Sequence, residues 1–251
     1  MQVIVDGILT SYQKTGSAKK AVLLIHGWGD SKETFTNLAK QLEKKYELLS
    51  LDLPGFGSSE PPPAAWGLND YAKFVNAWLT KINGGHLNAV IGHSFGGSVA
   101  IVGASSGQIK SDKLILLASG GVRNKNFVKK KALWLAAKTL KAPFILLPSG
   151  KSSRIKTRLY KNIGSDLLVI PHMRQTFVKM VREDVQLPAR KIKQPTLLIY
   201  GDKDKDTPIS YGRLLSDAIP GSSFVVVHGT GHFLHHEKPQ KIAQLIEDFI
   251  R

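Results

Sequence analysis

The chain has 251 residues, 42% hydrophobic and 22% charged, enough for one large domain with a well-developed core. It contains no cysteine, which excludes disulfides and thiolate metal ligands. Its net charge of +16 is concentrated in residues 120–194, which carry 18 of the 35 Lys and Arg but 3 of the 19 Asp and Glu. The basicity therefore describes the surroundings of one region and not the fold.

The opening "MQVIVDGILTSYQKTG" has no basic stretch followed by an apolar one, so it does not read as a signal peptide. No apolar run approaches the ~20 residues that span a bilayer, and a cytoplasmic location is expected. Asp6-Gly7 reads as the turn of a hairpin at a sheet edge. Then "AVLLIHG" (21–27), "YELLSLDLPG" (46–55), "LNAVIGHS" (87–94), "KLILLAS" (113–119) and "PTLLIYGD" (195–202) follow as near-continuous apolar runs. Such runs suit strands buried on both faces of a parallel sheet. Between them, "TFTNLAKQLEKK" places Phe35, Leu38, Ala39 and Leu42 on one helical face. "LNDYAKFVNAWL" does the same with Leu68, Tyr71, Phe74, Val75 and Trp78. A helix near 211–218, a strand "SFVVVHG" and a helix from Pro239 complete the pattern. Alternating elements of this kind specify an α/β fold, a mostly parallel sheet with helices on both faces.

Residues 120–194 break the rhythm, with Pro143, Pro148, Pro171 and Pro188 interrupting helix-like, lysine-rich sequence. We read 1–119 and 195–251 as the core, and 120–194 as a basic helical cap over the C-terminal edge of the sheet. In "NFVKKKALWLAAKTLKAPF", Lys130, Trp134, Lys138 and Lys141 share one helical face, and Leu133, Ala136, Ala137 and Leu140 another. Lys130, Lys138, Arg154 and Arg158 are the cap candidates for an anionic group.

The chemistry centres on "VIGHSFGGSVA", a G-x-S-x-G where a buried strand meets a helix. A serine on so sharp a turn is strained, and Gly92 and Gly96 remove side chains that would collide around His93 and Ser94. The hydroxyl is left exposed above the sheet, and the N–H of Phe95 is offered to developing negative charge. A serine needs a base, and the base needs an orienting acid. "GDKDKDTP" and "GTGHFLHHEKP" each follow a core strand and bring both to the same edge, in the order Ser, Asp, His. "LDLPGFGSSEPPP" lacks the G-K-[ST] of a phosphate loop and reads as a tight turn near the pocket rim.

Over 1–119 and 195–251 the chain resembles the α/β-hydrolase superfamily, through "HGWGD", "LDLPGFGSS", "GHSFGG", "GDKDKDTP" and "GTGHFLHHEKP". The resemblance implies a Ser94–His232–Asp204 triad, with Asp206 the first substitute for the acid and Asp202 a loop residue. It also implies Trp28, in the loop of His26, Gly27 and Gly29, as the second backbone donor to an oxyanion. His235 and His236, one helical turn on, are read as surface or pocket-rim residues, and no metal or cofactor is expected. Relatives that cleave haloalkanes or epoxides carry aspartate where Ser94 stands, so acyl transfer on a small-molecule ester is implied. "HGWG" with "LDLPGFG" is similar to pimeloyl-carrier-protein methyl ester esterases. The cap could then meet an anionic substrate, an acidic carrier protein or an anionic lipid surface; nucleic acid ranks last, for want of any recognition motif. A carbon–carbon bond hydrolase, a perhydrolase and a ligand receptor are the alternatives on the same fold.

Overall fold

The computed structural model describes residues 1–84, 86–123 and 171–251. In chain order it contains β1 (Gln2–Val5), β2 (Ile8–Thr15), β3 (Ala21–Ile25), a 3-10 turn (Lys32–Phe35), α1 (Thr36–Leu42) and β4 (Glu47–Leu51). There follow α2 (Leu68–Ile82), β5 (Leu87–His93), α3 (Phe95–Ser106), β6 (Ser111–Leu117), a 3-10 turn (Pro171–Met173), α4 (Arg174–Met180) and α5 (Gln186–Ala189). The chain closes with β7 (Thr196–Gly201), α6 (Ile209–Ala218), β8 (Ser223–Val227), α7 (Leu234–Glu237) and α8 (Pro239–Ile250).

The eight strands form one sheet in the order β1-β2-β4-β3-β5-β6-β7-β8. β1 and β2 form the antiparallel hairpin expected around Asp6-Gly7, with Val5 opposite Ile8, and β2 adds antiparallel to β4. Both turn residues have positive φ, 47° and 77°, the conformation that matches the twist of a two-residue hairpin. From β4 to β8 every pairing is parallel.

The apolar runs are explained by the two layers they separate. Leu23, Ile25, Val90, Leu114, Leu116 and Leu198 pack on one face, against α2 and α3. Their neighbours Val22, Leu24, Ile91, Ile115, Leu117 and Ile199 pack on the other, against α1 and α8. A strand covered on both sides has no reason to alternate with polar residues. α2 buries Leu68, Tyr71, Phe74, Val75 and Trp78, the face its spacing specifies. Among the described residues no helix is long and apolar enough to cross a membrane.

Of the segment expected as a cap, 120–123 and 171–194 are described; Lys130, Lys138, Arg154 and Arg158 lie outside the described residues. The part from Met173 to Val185 rests on the loop that leads into α2. Met173 is buried against Gly55. Thr176 Oγ1 accepts from the Trp66 N–H at 3.2 Å, and Lys179 Nζ donates to Asp70 at 3.1 Å and to the Ala65 carbonyl at 3.3 Å. Glu183 accepts from the Leu68 N–H at the first turn of α2, and the Val185 N–H donates to the Gly121 carbonyl.

Trp78 is fully buried and meets Tyr12 of β2 edge to face at 5.8 Å, so it clamps α2 to the antiparallel end of the sheet. Trp78→Ala is expected to cost about 3–5 kcal/mol of stability in denaturant titration, the range for deleting a core aromatic.

Candidate active site

Because β3, β5, β7 and β8 run parallel, the loops that leave them open on the same edge of the sheet. The loop after β5 is a single residue. Ser94 has φ 52° and ψ −115°, a conformation that costs a non-glycine residue about 1–3 kcal/mol. Its N–H donates to the Leu117 carbonyl at 3.0 Å, and its carbonyl accepts from Gly97, Ser98 and Gly120 at 3.1–3.3 Å. The turn also needs bare backbone beside it. A Cβ on Gly92 would lie 2.6 Å from the Gly96 carbonyl oxygen, and one on Gly96 would lie 2.2 Å from that of Ile25.

Above this turn the three expected side chains are joined. Ser94 Oγ lies 3.0 Å from His232 Nε2, and His232 Nδ1 lies 2.8 Å from Asp204 Oδ2. The carboxylate makes Nδ1 the protonated nitrogen and leaves Nε2 to accept the serine proton. Asp204 Oδ1 accepts from the N–H groups of Asp206 and Thr207 at 2.8 and 2.9 Å, and the Thr207 hydroxyl lies 2.6 Å from Oδ2. Burial alone would raise the pKa of Asp204; the hydrogen bonds from His232 and Thr207 outweigh it and hold the carboxyl below its usual range. Asp202 is engaged elsewhere, with the Gly229 N–H at 2.6 Å and His228 at 3.1 Å. Asp206 lies at the pocket wall.

The loop after β3 faces the serine. His26 is buried; its Nε2 accepts from the Leu53 N–H at 2.9 Å, so Nδ1–H donates to the Gly27 carbonyl at 2.7 Å. One imidazole thus ties the loop after β3 to the loop after β4. Asp52 reinforces the tie: its buried carboxylate accepts from the N–H and Nζ of Lys32 and from the Ser58 N–H at 2.7–2.9 Å. Gly29, with φ 71°, turns the chain after Trp28. The Trp28 ring packs on Phe56, Phe95 and Phe177 at 4.9, 5.6 and 5.0 Å, which anchors the loop. Phe95 opens α3, where a first-turn N–H has no acceptor within the helix. Trp28 and Phe95 both line the cavity that contains Ser94 and His232.

That cavity has a volume of about 370 Å³. Its apolar walls include Trp28, Phe95, Val122, Phe177, Met180 and Phe233, and Asp30, Glu183, Asp206 and Arg123 are its charged lining among the described residues. Burial raises the pKa of Glu183. Arg174, Lys179 and Arg182 form a shallow basic depression next to it, which shares Glu183.

The reading of His235 needs correction. It is fully buried, not a surface or rim residue, because α7 turns it inward against His93 at 4.5 Å and Phe35 at 5.3 Å. His236 is exposed, and both rings place Nε2 near the Thr34 hydroxyl, at 3.1 and 2.8 Å. Thr34 and Thr207 were not singled out in sequence. Thr207 stands three residues after Asp204, a spacing at which a hydroxyl readily bonds back to a carboxylate, and that signal was available. Among the described residues, Asp204, Asp206 and His232 could hold a metal ion, their ligand atoms lying within 4.8 Å of one another. Asp204 and His232 spend those atoms on each other.

A strained serine at a strand–helix junction, hydrogen-bonded to an imidazole that is oriented by a buried carboxylate, defines the class of hydrolytic α/β proteins. The chain belongs to the alpha/beta hydrolase family, whose model matches residues 22–245. It is similar to the uncharacterized hydrolase YugF of Bacillus subtilis, 25% identical over 268 residues that cover 98% of this chain and 96% of the relative. It is also similar to monoacylglycerol lipase ABHD6 of Rattus norvegicus, 28% identical over 265 residues, 96% of this chain and 78% of the relative. A thermophilic esterase from Thermogutta terrifontis shares the fold, with a TM-score of 0.75 at 19% identity over 100% of this chain and 97% of that one.

Burial pushes the pKa of His93 down to about 3, and those of His26 and His235 below the ordinary value of 6.5. These rings are neutral when folded but bind protons when unfolded, so the stability they contribute is complete above pH 6.5 and falls as the solution is acidified. For His93 alone, the loss by pH 5 is about 2 kcal/mol relative to neutral pH. Denaturant titrations from pH 8 to 5 should show this decline, with a shallower slope in His235→Phe.

Proposed function

We propose that the protein is a serine hydrolase of carboxylic esters. The observation that carries the reading is the hydrogen-bonded chain from Ser94 Oγ through His232 to Asp204. Ser94 attacks the ester carbonyl carbon while His232 Nε2 takes its proton. The tetrahedral oxyanion is held by the backbone N–H groups of Trp28 and Phe95, and a donor of this kind is worth about 10²–10³ in rate. His232 then protonates the leaving alcohol. Water, deprotonated by the same imidazole, releases the acid from Ser94. Asp204 keeps the imidazole in the tautomer that can accept at Nε2 and stabilises it once charged. Similarity to a monoacylglycerol lipase supports this reaction class.

The wall chemistry favours a neutral ester with an apolar acyl group, since aromatic and aliphatic side chains surround Ser94 and three carboxylates stand in the lining against one guanidinium, that of Arg123. The idea of an anionic substrate, carrier or lipid surface rests chiefly on cap residues outside the described ones. A neutral substrate is the reading that the lining of the described pocket supports.

Ser94→Ala should lower kcat on a short activated ester by more than about 10⁴-fold while thermal unfolding stays within a degree or two. Turnover retained in a pure, folded sample would reject Ser94 as nucleophile. With wild-type protein, kcat/KM should rise about fourfold for each methylene added to the acyl chain until the cavity is filled, from the ~0.8 kcal/mol that burying a methylene contributes. A carboxylate at the acyl terminus should reverse that gain. If charged esters are instead preferred, and the preference fades with added salt, the neutral-substrate reading is wrong.

A further inference from the structure

Directly before Ser94 in the chain lies a buried histidine that the proposed reaction does not use. His93 is 1% exposed, yet its ring stands 4.9 Å from that of His232. Its Nε2 lies 3.0 Å from the main-chain carbonyl of His232, and a carbonyl can only accept, so Nε2 carries the proton and donates. Nδ1, left with a lone pair, has no hydrogen-bond partner among the described residues. It faces Gly27, where an added Cβ would lie 3.1 Å away. One side chain thus touches the loops after β3 and β8 while it terminates β5.

We propose that His93 is a positioning residue: its Nε2–H holds the carbonyl of His232 and so sets where that imidazole sits over Ser94. The inference rests on reading Ser94 and His232 as catalytic. Further ties of the histidine loop fall on its neighbours, among them Gly229, whose N–H donates to Asp202, Thr230, whose carbonyl accepts from the Lys203 N–H, and Gly231, whose N–H donates to Glu237. His93 acts on the main chain of His232 itself.

One cost of a histidine here argues for a task of this kind, and a second is avoided by burial. A buried acceptor without a partner costs about 1–3 kcal/mol, which an aliphatic side chain at position 93 would avoid. A basic ring beside His232 would also oppose the positive charge that His232 takes up in the reaction, were it itself charged. Burial removes that conflict by keeping His93 neutral. The ring is clamped from behind by His235 at 4.5 Å, which Thr34 holds in turn. It therefore has little room to release the carbonyl.

The test compares His93→Phe, a ring without a donor, with His93→Gln, whose amide N–H reaches about as far as Nε2. 4-Nitrophenyl butyrate turnover is measured with the full chain, beside Ser94→Ala and with unfolding temperatures recorded. We expect His93→Phe to lose about ten- to a hundredfold in kcat with KM within about twofold, the scale of a misplaced catalytic group. His93→Gln should recover most of that loss. The rate of covalent labelling by a fluorophosphonate should follow the same order. If the phenylalanine variant does not fold, His93→Met serves as the donor-free case. The proposal is overturned if a folded donor-free variant keeps wild-type kcat, or if glutamine does no better than it. Turnover surviving in Ser94→Ala would instead strike the underlying triad, and leaves the two failures distinct.

Discussion

The backbone of Ser94 is the point on which the rest of the site depends. A residue at φ 52° and ψ −115° stays there only because its surroundings leave no alternative. Its carbonyl accepts three N–H groups, two from the start of α3 and one from Gly120, while its own N–H is bound to the end of β6. At about 1 kcal/mol each, these four hydrogen bonds outweigh the strain. They exist because β5 lies between β3 and β6, with glycine backbone at Gly92 and Gly96 allowing the strand, the helix and the loop after β3 to close on one another. Fold and site are in this sense one arrangement: the strand order that buries the core is the order that bends the serine outward.

The second theme is the placement of charge. Asp204 accepts hydrogen bonds from His232, Thr207 and Asp206, and Asp52 from Lys32 and the Ser58 N–H, each at a loop that shapes the pocket. The buried imidazoles of His26, His93 and His235 are neutral and serve as hydrogen-bonding struts or packed rings. So the loops that carry Trp28 and His232 are braced from behind by hydrogen-bonded carboxylates and neutral imidazoles.

The fold was legible because its signals are local. Apolar runs bounded by glycine mark strands covered on both faces, helical spacing marks α2, and Asp6-Gly7 marks the hairpin. The joined side chains were legible for a similar reason, since each directly follows a core strand and parallel strands deliver their ends to one edge. Asp204 was separable from Asp202 and Asp206 only through the family resemblance. In the structure the choice is made by Thr207 and His232, which gather on one carboxylate. His235 was misread because whether a short helix after His232 turns inward depends on Thr34 and Phe35, some 200 positions earlier. No periodicity near His235 carries that information. His93 was noted as part of the elbow, but its bond to a main-chain carbonyl on another loop has no sequence signature.

The geometry around Ser94 also has a meaning for the life of the molecule. Its parts come from stretches near positions 26, 94, 118, 204 and 232, and none of them holds the serine, the imidazole or the carboxylate in place alone. A chain emerging from the ribosome therefore cannot join Ser94, His232 and Asp204 until its last strand is seated. The hydrogen-bonded chain of serine, imidazole and carboxylate is thus itself a report that folding is complete.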